Sequence, residues 1–218
     1  MSNLIHPTAI VDKDAIIGDN VEVGPFTIIE KDVTIGSGTK ISSHVIIKQF
    51  STIGIDCQIF KGAVVGEIPM DLKFEGEDST LEVGDRTIVR EFCTLHRGTR
   101  DKKITKIGSD CLLMAYSHVA HDVVIGDNVI VSISVNIAGH AEIDDYAIIG
   151  GCTPVHQFCK IGKHSFIGGG RLILQDVPPY ILATGEPLRY AGINSVGLRR
   201  RKFSLSSRSQ IKKAYSLI

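Results

Sequence analysis

An aliphatic residue recurs every six positions along most of the chain, and this period constrains the fold more than any other feature. Steps of six from Ile5 to Ile173 give 29 positions, of which 26 are Ile, Val or Leu. The residue two places before each aliphatic is small or β-branched, as at Ala9, Val21 and Ala63. Residues two apart on a strand face the same side. Each hexad therefore predicts a short strand with one small and one large side chain pointing inward.

This period predicts a parallel β-helix with three hexads in each coil. The 26 hexads correspond to nearly nine coils, or a prism about 40 Å tall at the usual spacing of about 4.8 Å between strands. Gly often follows the aliphatic residue, as at Gly18, Gly36 and Gly126. We interpret these glycines as corners that need a positive φ.

The period fails at two places, residues 66–82 and 96–106, which carry charged and glycine-containing sequence. In a solenoid such interruptions predict loops that project from one side, often the binding side. We assign residues 1–185 to the β-helix and residues 186–218 to a basic loop followed by the start of a helical domain. Ser204 is the expected cap of a helix that contains Ile211, Ala214, Tyr215 and Ile218, and the chain stops within that pattern, as a truncated helical domain would.

The formal net charge of zero conceals two oppositely charged parts. Residues 187–218 carry eight basic and no acidic groups, whereas residues 1–186 have a net charge of −8. The balanced total argues against a nucleic-acid binder, and the basic segment is suited to anionic ligands. The first residues do not resemble a signal peptide, and no apolar run approaches the roughly 18 residues of a membrane span. Five cysteines without paired spacing indicate a reducing compartment, so we predict a cytoplasmic protein.

Within the unbroken run 107–173, a shift of three hexads returns to the same corner one coil along, and polar residues converge there. The converging residues are His118, His121, Asp122, Gly139, His140, His156 and Gln157. We predict one outward-facing patch on one edge of the prism. A His beside an Asp, with a glycine N–H on the next coil, suits general-base chemistry with an oxyanion donor.

Two other interpretations of the histidines remain open from the residues alone. Three imidazoles can bind zinc, as in the gamma-type carbonic anhydrases, which are also hexapeptide enzymes. Corner positions are also exposed to solvent, so a non-catalytic scaffold could carry the same polar residues. Four cysteines occupy the small inward position and are predicted to be buried thiols. They are Cys57, Cys93, Cys111 and Cys159.

Several segments outside the bare hexads carry a family resemblance. They are Leu95–Thr99, Ser117–Asp122, Ala138–His140, Val155–Phe158, Gln175–Tyr180 and Gly197–Arg201. From Ile5 to Tyr215 the chain resembles the UDP-N-acetylglucosamine O-acyltransferases that begin lipid A biosynthesis. The resemblance implies a left-handed helix and a homotrimer with sites in the clefts between subunits. It also implies transfer of a 3-hydroxyacyl group from acyl carrier protein to the 3-hydroxyl of the UDP-sugar.

The resemblance also implies roles for individual residues. His121 is the expected general base, Asp122 orients it, and the Gly139 N–H stabilises the oxyanion. The residues expected to bind the substrates are Asp71, Lys73, His118, His140, His156, Gln157, Gly169, Asn194, Arg200 and Arg201. No metal or other cofactor is expected, because a thioester is already activated.

Two residues depart from the family pattern. Met70 stands where the family commonly has Gln, and Val196 stands where it commonly has Glu. Since Met70 lies close to the expected acceptor, a 3-amino analogue of the sugar remains an alternative to the 3-hydroxyl, and acyl-chain length is also open. The N-acyltransferase that acts third in the same pathway is a further alternative. It normally has an extra N-terminal uridine-binding domain, for which hexads beginning at Ile5 leave no room.

Overall fold

The computed structural model describes residues 3–217, which form 27 short strands and two helices. The strands are β1 (Leu4–Ile5), β2 (Ile10–Val11), β3 (Ile16–Ile17), β4 (Glu22–Val23), β5 (Ile28–Ile29), β6 (Thr34–Ile35), β7 (Lys40–Ile41), β8 (Ile46–Ile47), β9 (Ser51–Ile53), β10 (Gln58–Ile59), β11 (Val64–Glu67), β12 (Thr80–Val83), β13 (Ile88–Val89), β14 (Thr94–His96), β15 (Ile104–Ile107), β16 (Leu112–Leu113), β17 (His118–Val119), β18 (Val124–Ile125), β19 (Ile130–Val131), β20 (Asn136–Ile137), β21 (Glu142–Ile143), β22 (Ile148–Ile149), β23 (Pro154–Val155), β24 (Lys160–Ile161), β25 (Phe166–Ile167), β26 (Ile181–Thr184) and β27 (Arg189–Ile193). The helices are α1 (Ser195–Arg200) and α2 (Leu205–Tyr215).

The strands stack into three parallel sheets, because every third strand pairs with the next one along the prism. The first sheet begins β1-β4-β7, the second β2-β5-β8 and the third β3-β6-β9. Leu4 is opposite Glu22 and Ile10 is opposite Ile28, so one regular coil contains three hexads. This confirms the predicted fold, a left-handed parallel β-helix, which has eight complete coils and a partial ninth. We call its corners the 1–2 edge, the 2–3 edge and the 3–1 edge, after the sheets that they join.

Both interruptions leave the second sheet and return to the third, so both project from the 2–3 edge. Their non-strand parts are residues 68–79 and 97–103. Gln58 is opposite Ile88, and Ile88 is opposite Leu112, so these coils contain five and four hexads. The insertions are thus whole numbers of hexads, which explains why the six-residue phase survives them.

The periodic aliphatic residues form one continuous core. Ile29, Ile59, Leu95 and Ile137 are at most 1% exposed, and burial of such a side chain contributes roughly 1.5–3 kcal/mol. The four cysteines predicted to point inward are buried. Burial raises the pKa of the Cys93 and Cys111 thiols to about 11, so both are inert at neutral pH.

Apart from Gly66 (φ 84°), the glycines that follow the aliphatic residues do not have the positive φ that we expected. The left-handed conformation falls two residues later, at Asn20 (φ 55°) and Gly38 (φ 74°) for example. A Cβ on Gly18 would lie 2.7 Å from the Ser37 nitrogen, and one on Gly36 would lie 2.5 Å from the Gly54 carbonyl carbon. These corners therefore need glycine because successive coils approach closely, not because of backbone strain.

The segment after residue 185 is more ordered than the loop that we expected up to about Phe203. Strand β27 pairs antiparallel with β26, and α1 follows directly. Helix α2 begins as predicted, because the Ser204 Oγ accepts a hydrogen bond from the Ser207 N–H at 3.0 Å. Ile218, which we placed in that helix, lies outside the described residues. Neither helix within residues 3–217 is long and apolar enough to cross a membrane.

Candidate active site

Asp122 is the most constrained polar residue on the 2–3 edge. Its Oδ2 accepts hydrogen bonds from His121 Nδ1–H at 2.9 Å and from the Thr99 hydroxyl at 2.6 Å. Its Oδ1 accepts from the N–H groups of Thr99 at 3.0 Å and Lys102 at 3.3 Å. Burial raises the pKa of this carboxyl, but the hydrogen bonds from Thr99 and His121 outweigh burial and lower the pKa overall. Asp122 is therefore ionised.

The expected outward-facing patch is wrong for Asp122, which is 0% exposed. The inserted segment 97–103 folds over the corner and supplies the Thr99 and Lys102 donors. His121 is only partly covered, with 16% of its side chain exposed. The insertion therefore buries the carboxylate and leaves the imidazole accessible.

The hydrogen bond to Asp122 fixes which nitrogen of His121 is available for chemistry. Because an ionised carboxylate can only accept, His121 Nδ1 carries the proton and Nε2 carries the lone pair. The ring lies directly against Gly139 of the next coil, where a Cβ would be 2.9 Å from Nε2. The Gly139 N–H donates to no acceptor within residues 3–217. A basic nitrogen and a free N–H donor thus lie side by side.

His140 lies on the other side of Asp122. Its Nε2 is 3.8 Å from Asp122 Oδ2, and its Nδ1 is 3.5 Å from Asp101 Oδ2. The ring stacks on Phe158 of the following coil, with centroids 4.6 Å apart. These contacts hold the ring perpendicular to that of His121, at an interplanar angle of 86°.

Two further histidines, His96 and His118, extend the cluster along the second sheet. His96 Nδ1–H donates to the Ile68 carbonyl at 2.6 Å, and His118 Nδ1 shares a hydrogen bond with the Thr94 hydroxyl at 2.8 Å. Burial lowers the pKa of His96, and burial together with the charges of His96 and His121 lowers the pKa of His118 to about 4. Both rings are therefore neutral at pH 7.

These groups open onto a cavity of 330 Å³ on the outer side of the second sheet. It is lined by Met70, His96, His118, Ala120, His121, Asn136, Ile137, Ala138, Gly139, Pro154 and Val155. A larger cavity of 710 Å³ lies between the last coil and α2, where its lining is mostly apolar. We place the chemistry in the smaller cavity, because only there do a basic nitrogen and a free N–H converge within the described chain.

The other residues expected on this edge are nearby but do not line the cavity. Asp71 and Lys73 lie in segment 68–79, where Asp71 Oδ1 accepts from the Lys73 N–H at 3.0 Å. His156 and Gln157 are exposed one coil beyond Gly139, and a hydrogen bond of 3.1 Å joins His156 Nδ1 to the Gln157 carbonyl.

The remaining expected residues lie on other edges of the prism. Gly169 is on the 1–2 edge, after β25. Asn194, Arg200 and Arg201 are on the 3–1 edge. The Asn194 side chain is 7% exposed because it caps α1 and donates to the His164 carbonyl at 2.9 Å. A single chain therefore does not bring the expected substrate contacts together.

Arg200 and Arg201 nevertheless define a second candidate surface. With Tyr146, His164, Lys202 and Phe203 they line a depression of 510 Å³. The Arg201 guanidinium lies 5.1 Å from the centre of the Tyr146 ring, and burial lowers its pKa. Basic groups beside half-buried rings are suited to a phosphorylated aromatic ligand.

His121, Asp122 and His140 place three potential metal ligands within 4.8 Å of one another. The donor set does not fit a cation. The two Asp122 oxygens already accept four hydrogen bonds, from His121, Thr99 and Lys102.

Neither His96 nor Thr99 was assigned a role from the sequence. Both belong to the coil with the six-residue insertion, so neither can be aligned with His121 by a shift of three hexads. The sequence did contain a signal for this coil, because the six-residue period continues in phase beyond residues 96–106. That continuity shows that the coil contains a fourth hexad.

Comparison with known proteins gives consistent matches. The family model described as "Udp N-acetylglucosamine O-acyltransferase; Domain 2" matches residues 176–218, and a bacterial transferase hexapeptide model matches residues 14–49 and 104–132. An acyl-(acyl-carrier-protein)–UDP-N-acetylglucosamine O-acyltransferase of Thiobacillus denitrificans is 51% identical over 98% of this chain and 83% of its own length. The protein of the same name from Aliarcobacter butzleri is 53% identical over 98% and 82%.

Solved structures agree with these matches. LpxA from Acinetobacter baumannii superposes with a TM-score of 0.96 at 49% identity, covering 99% of this chain and 84% of that one. The UDP-N-acetylglucosamine acyltransferase LpxA from Bacteroides fragilis has a TM-score of 0.96 at 47% identity, covering 97% and 83%.

Proposed function

The chain belongs to the UDP-N-acetylglucosamine O-acyltransferase family, and we propose that it transfers a 3-hydroxyacyl chain from acyl carrier protein to the 3-position of UDP-N-acetylglucosamine. This is the step that begins lipid A biosynthesis. The observation that carries the proposal is the free lone pair of His121 beside the free N–H of Gly139. This pair supplies a base and an oxyanion donor at one point of the cavity.

In the proposed reaction, His121 Nε2 takes the proton from the sugar hydroxyl as its oxygen attacks the thioester carbonyl. The carbonyl oxygen becomes negatively charged, and the Gly139 N–H stabilises it. The tetrahedral intermediate then expels the pantetheine thiolate, which receives the proton from the His121 imidazolium. Ionised Asp122 stabilises that imidazolium throughout. A positioned base supplies a factor of about 10²–10⁴, and one oxyanion donor contributes a factor of about 10²–10³.

Neither step requires a metal or other cofactor, and we include that absence in the proposal. This is supported by Asp122, because both of its carboxylate oxygens already accept hydrogen bonds from N–H and O–H donors. The other expected residues near the base would position the sugar and the acyl hydroxyl. They are His118, His140, His156, Gln157, Asp71 and Lys73.

We also propose that the active unit is a homotrimer. The expected contacts in one chain lie on three different edges, so the Arg200 surface of one subunit can meet the His121 cavity only across an interface. The outer face of the first sheet is suited to such an interface from β13 to β26, where it is apolar, whereas the earlier strands carry Glu22, Lys40 and Gln58 there. It carries Ile88, Leu112, Ile130, Ile148, Phe166 and Leu182, all partly exposed in one chain. The outer face of the third sheet instead carries Thr52, Glu82, Lys106, Glu142 and Lys160.

A cytoplasmic location is part of the same proposal. Its support is that all four inward-pointing cysteines are free thiols within the described chain, in keeping with a reducing compartment.

Met70 gives a specific reason to test the 3-amino acceptor alongside the hydroxyl. Its side chain lines the cavity with His96 and His121, and a thioether offers only a weak acceptor to a hydroxyl group. An amine must be neutral to attack, and the burial that lowers the pKa of His96 and His118 would also disfavour the charged form of the amine. Val196, the second departure, is 51% exposed on α1 and lies on the Arg200 side.

The experiment is a mass-spectrometric assay of 3-hydroxyacyl carrier protein thioesters of several lengths, each with the 3-hydroxyl and the 3-amino sugar nucleotide. We expect acylated UDP-sugar and free carrier-protein thiol in equal amounts. Met70→Gln is the matched variant, and we expect it to shift preference towards the hydroxyl. No transfer to either acceptor by the wild-type protein, in its native oligomeric state, would refute the proposed function.

A further inference from the structure

The inserted segment 97–103 holds the catalytic carboxylate through two backbone N–H groups and one side chain, that of Thr99. The Thr99 hydroxyl donates to Asp122 Oδ2 at 2.6 Å, the same oxygen that accepts from His121 Nδ1–H. Thr99 is 6% exposed. Its oxygen also accepts from the Asp101 N–H at 3.3 Å. The hydroxyl proton therefore points at the carboxylate, which has no proton of its own to offer.

We propose that Thr99 is a positioning residue for the His121–Asp122 pair, which sets both the orientation of Asp122 and the affinity of the pair for protons. This inference rests on the proposed function. Without the Thr99 hydroxyl, Asp122 Oδ2 would accept a hydrogen bond from His121 alone and would be more basic. The His121–Asp122 pair would then bind its first proton more tightly. Since the two groups share a hydrogen bond, that proton belongs to the pair and not to either residue alone.

The direction of the effect follows from the chemistry. His121 must be unprotonated at Nε2 to act as a base, so the acid limb of the pH–rate profile marks loss of the first proton from the pair. Removing a donor to an anion makes that anion more basic. The limb must therefore move to higher pH when the Thr99 hydroxyl is removed, whichever of the two groups holds the proton.

Other charged and titratable groups also face the pair. His140 approaches Asp122 Oδ2 at 3.8 Å and is itself held by Asp101. His96 and His118 lie on the side of His121. The Lys102 ammonium is paired with Glu142 at 3.3 Å. None of these contacts depends on the Thr99 hydroxyl, so a Thr99 substitution leaves their charges in place.

The chain offers a matched control in Thr105. Its hydroxyl oxygen accepts from the backbone N–H of Asp122 at 2.8 Å, so Thr105→Val removes a buried hydrogen bond to the same residue without touching the carboxylate. Thr99→Val has the same shape change and removes the carboxylate contact. Thr99→Ser keeps the hydroxyl. The comparison separates an effect on the carboxylate from a general loosening of the corner.

The test measures kcat/KM for acyl transfer from pH 5 to pH 10 in all four proteins. For Thr99→Val we expect a plateau at least tenfold lower and an acid limb displaced upwards by roughly one to two pH units, equivalent to one hydrogen bond to a charged group. For Thr99→Ser and Thr105→Val we expect the limb at its wild-type position. A Thr99→Val limb that does not move, or a Thr99→Ser limb that moves equally, would overturn the inference.

Folding is checked by thermal unfolding of each variant. If Thr99→Val does not fold, Thr99→Ala carries the same expectation, since it also lacks the hydroxyl. The wild-type profile distinguishes the two proposals: an inactive wild-type protein refutes the function, whereas an active one with an unmoved Thr99→Val limb refutes only the role of Thr99.

Discussion

Gly139→Ala is the substitution whose consequence can be worked out most fully from the structure. The added Cβ would lie 2.7 Å from His121 Cε1 and 2.9 Å from His121 Nε2, whereas ordinary contacts begin at 3.4 Å. The imidazole must therefore retreat by roughly 0.7 Å, or the coil must shift by the same amount. The backbone at Gly139 is not in the left-handed region, so alanine adds no other strain.

A displacement of this size moves the base away from its working position and leaves its chemistry unchanged. Misplacement by about 1 Å can cost about 10²-fold in rate, so we expect kcat to fall about 30- to 100-fold, equivalent to about 2–3 kcal/mol. KM should change little, because the alanine keeps the N–H and does not reach the other edges. The midpoint of thermal unfolding should stay within a few degrees, because alanine also restricts the unfolded chain.

The assay is a double-substitution cycle with His121→Ala, measured by single-turnover transfer. Without the imidazole, the new methyl group has nothing to displace, so Gly139→Ala should cost less than about threefold in that background. An equal loss in both backgrounds would refute the contact as the cause. Near-normal kcat for Gly139→Ala alone would refute the assigned position of the base.

Two further predictions concern stability and assembly. Burial lowers the pKa of the His118 ring from 6.5 to about 4. As the pH falls, the His118 ring of the unfolded chain is therefore protonated first, and the free energy of unfolding decreases between pH 6.5 and pH 4. His118→Asn should flatten that decline in thermal unfolding, and parallel wild-type and variant curves would contradict it. Ile130→Glu places a charge on the apolar part of the first sheet and should yield monomers by light scattering, whereas Thr52→Glu on the third sheet should not. An unchanged mass for both variants would contradict the proposed interface.

The fold could be predicted from the sequence because the β-helix is a local repeat. Each aliphatic residue of the series from Ile5 to Ile167 lies in a strand of its own. A shift of three hexads then gives the stacking directly in the regular coils. The pairing of His121 with Gly139 followed from that arithmetic. The role of the corner glycines was misjudged, because close approach between coils is a contact across a whole turn of the prism, which a single hexad does not show.

The interior of the site could not be predicted in the same way. Thr99 lies in an insertion, where the period gives no position, and its contact with Asp122 depends on how segment 97–103 folds back over the corner. For the same reason Asp122 was expected at the surface. Asn194 was carried over from the family resemblance as a ligand contact, and that role stays a prediction; its cap of α1 was not foreseen.

The most direct test is transfer by His121→Ala in the assay of 3-hydroxyacyl carrier protein with the UDP-sugar. The predicted result is a fall in kcat of about 10²–10⁴, with the oligomer and the thermal unfolding midpoint unchanged. A rate within a few-fold of wild type, from a folded variant, would contradict His121 as the general base.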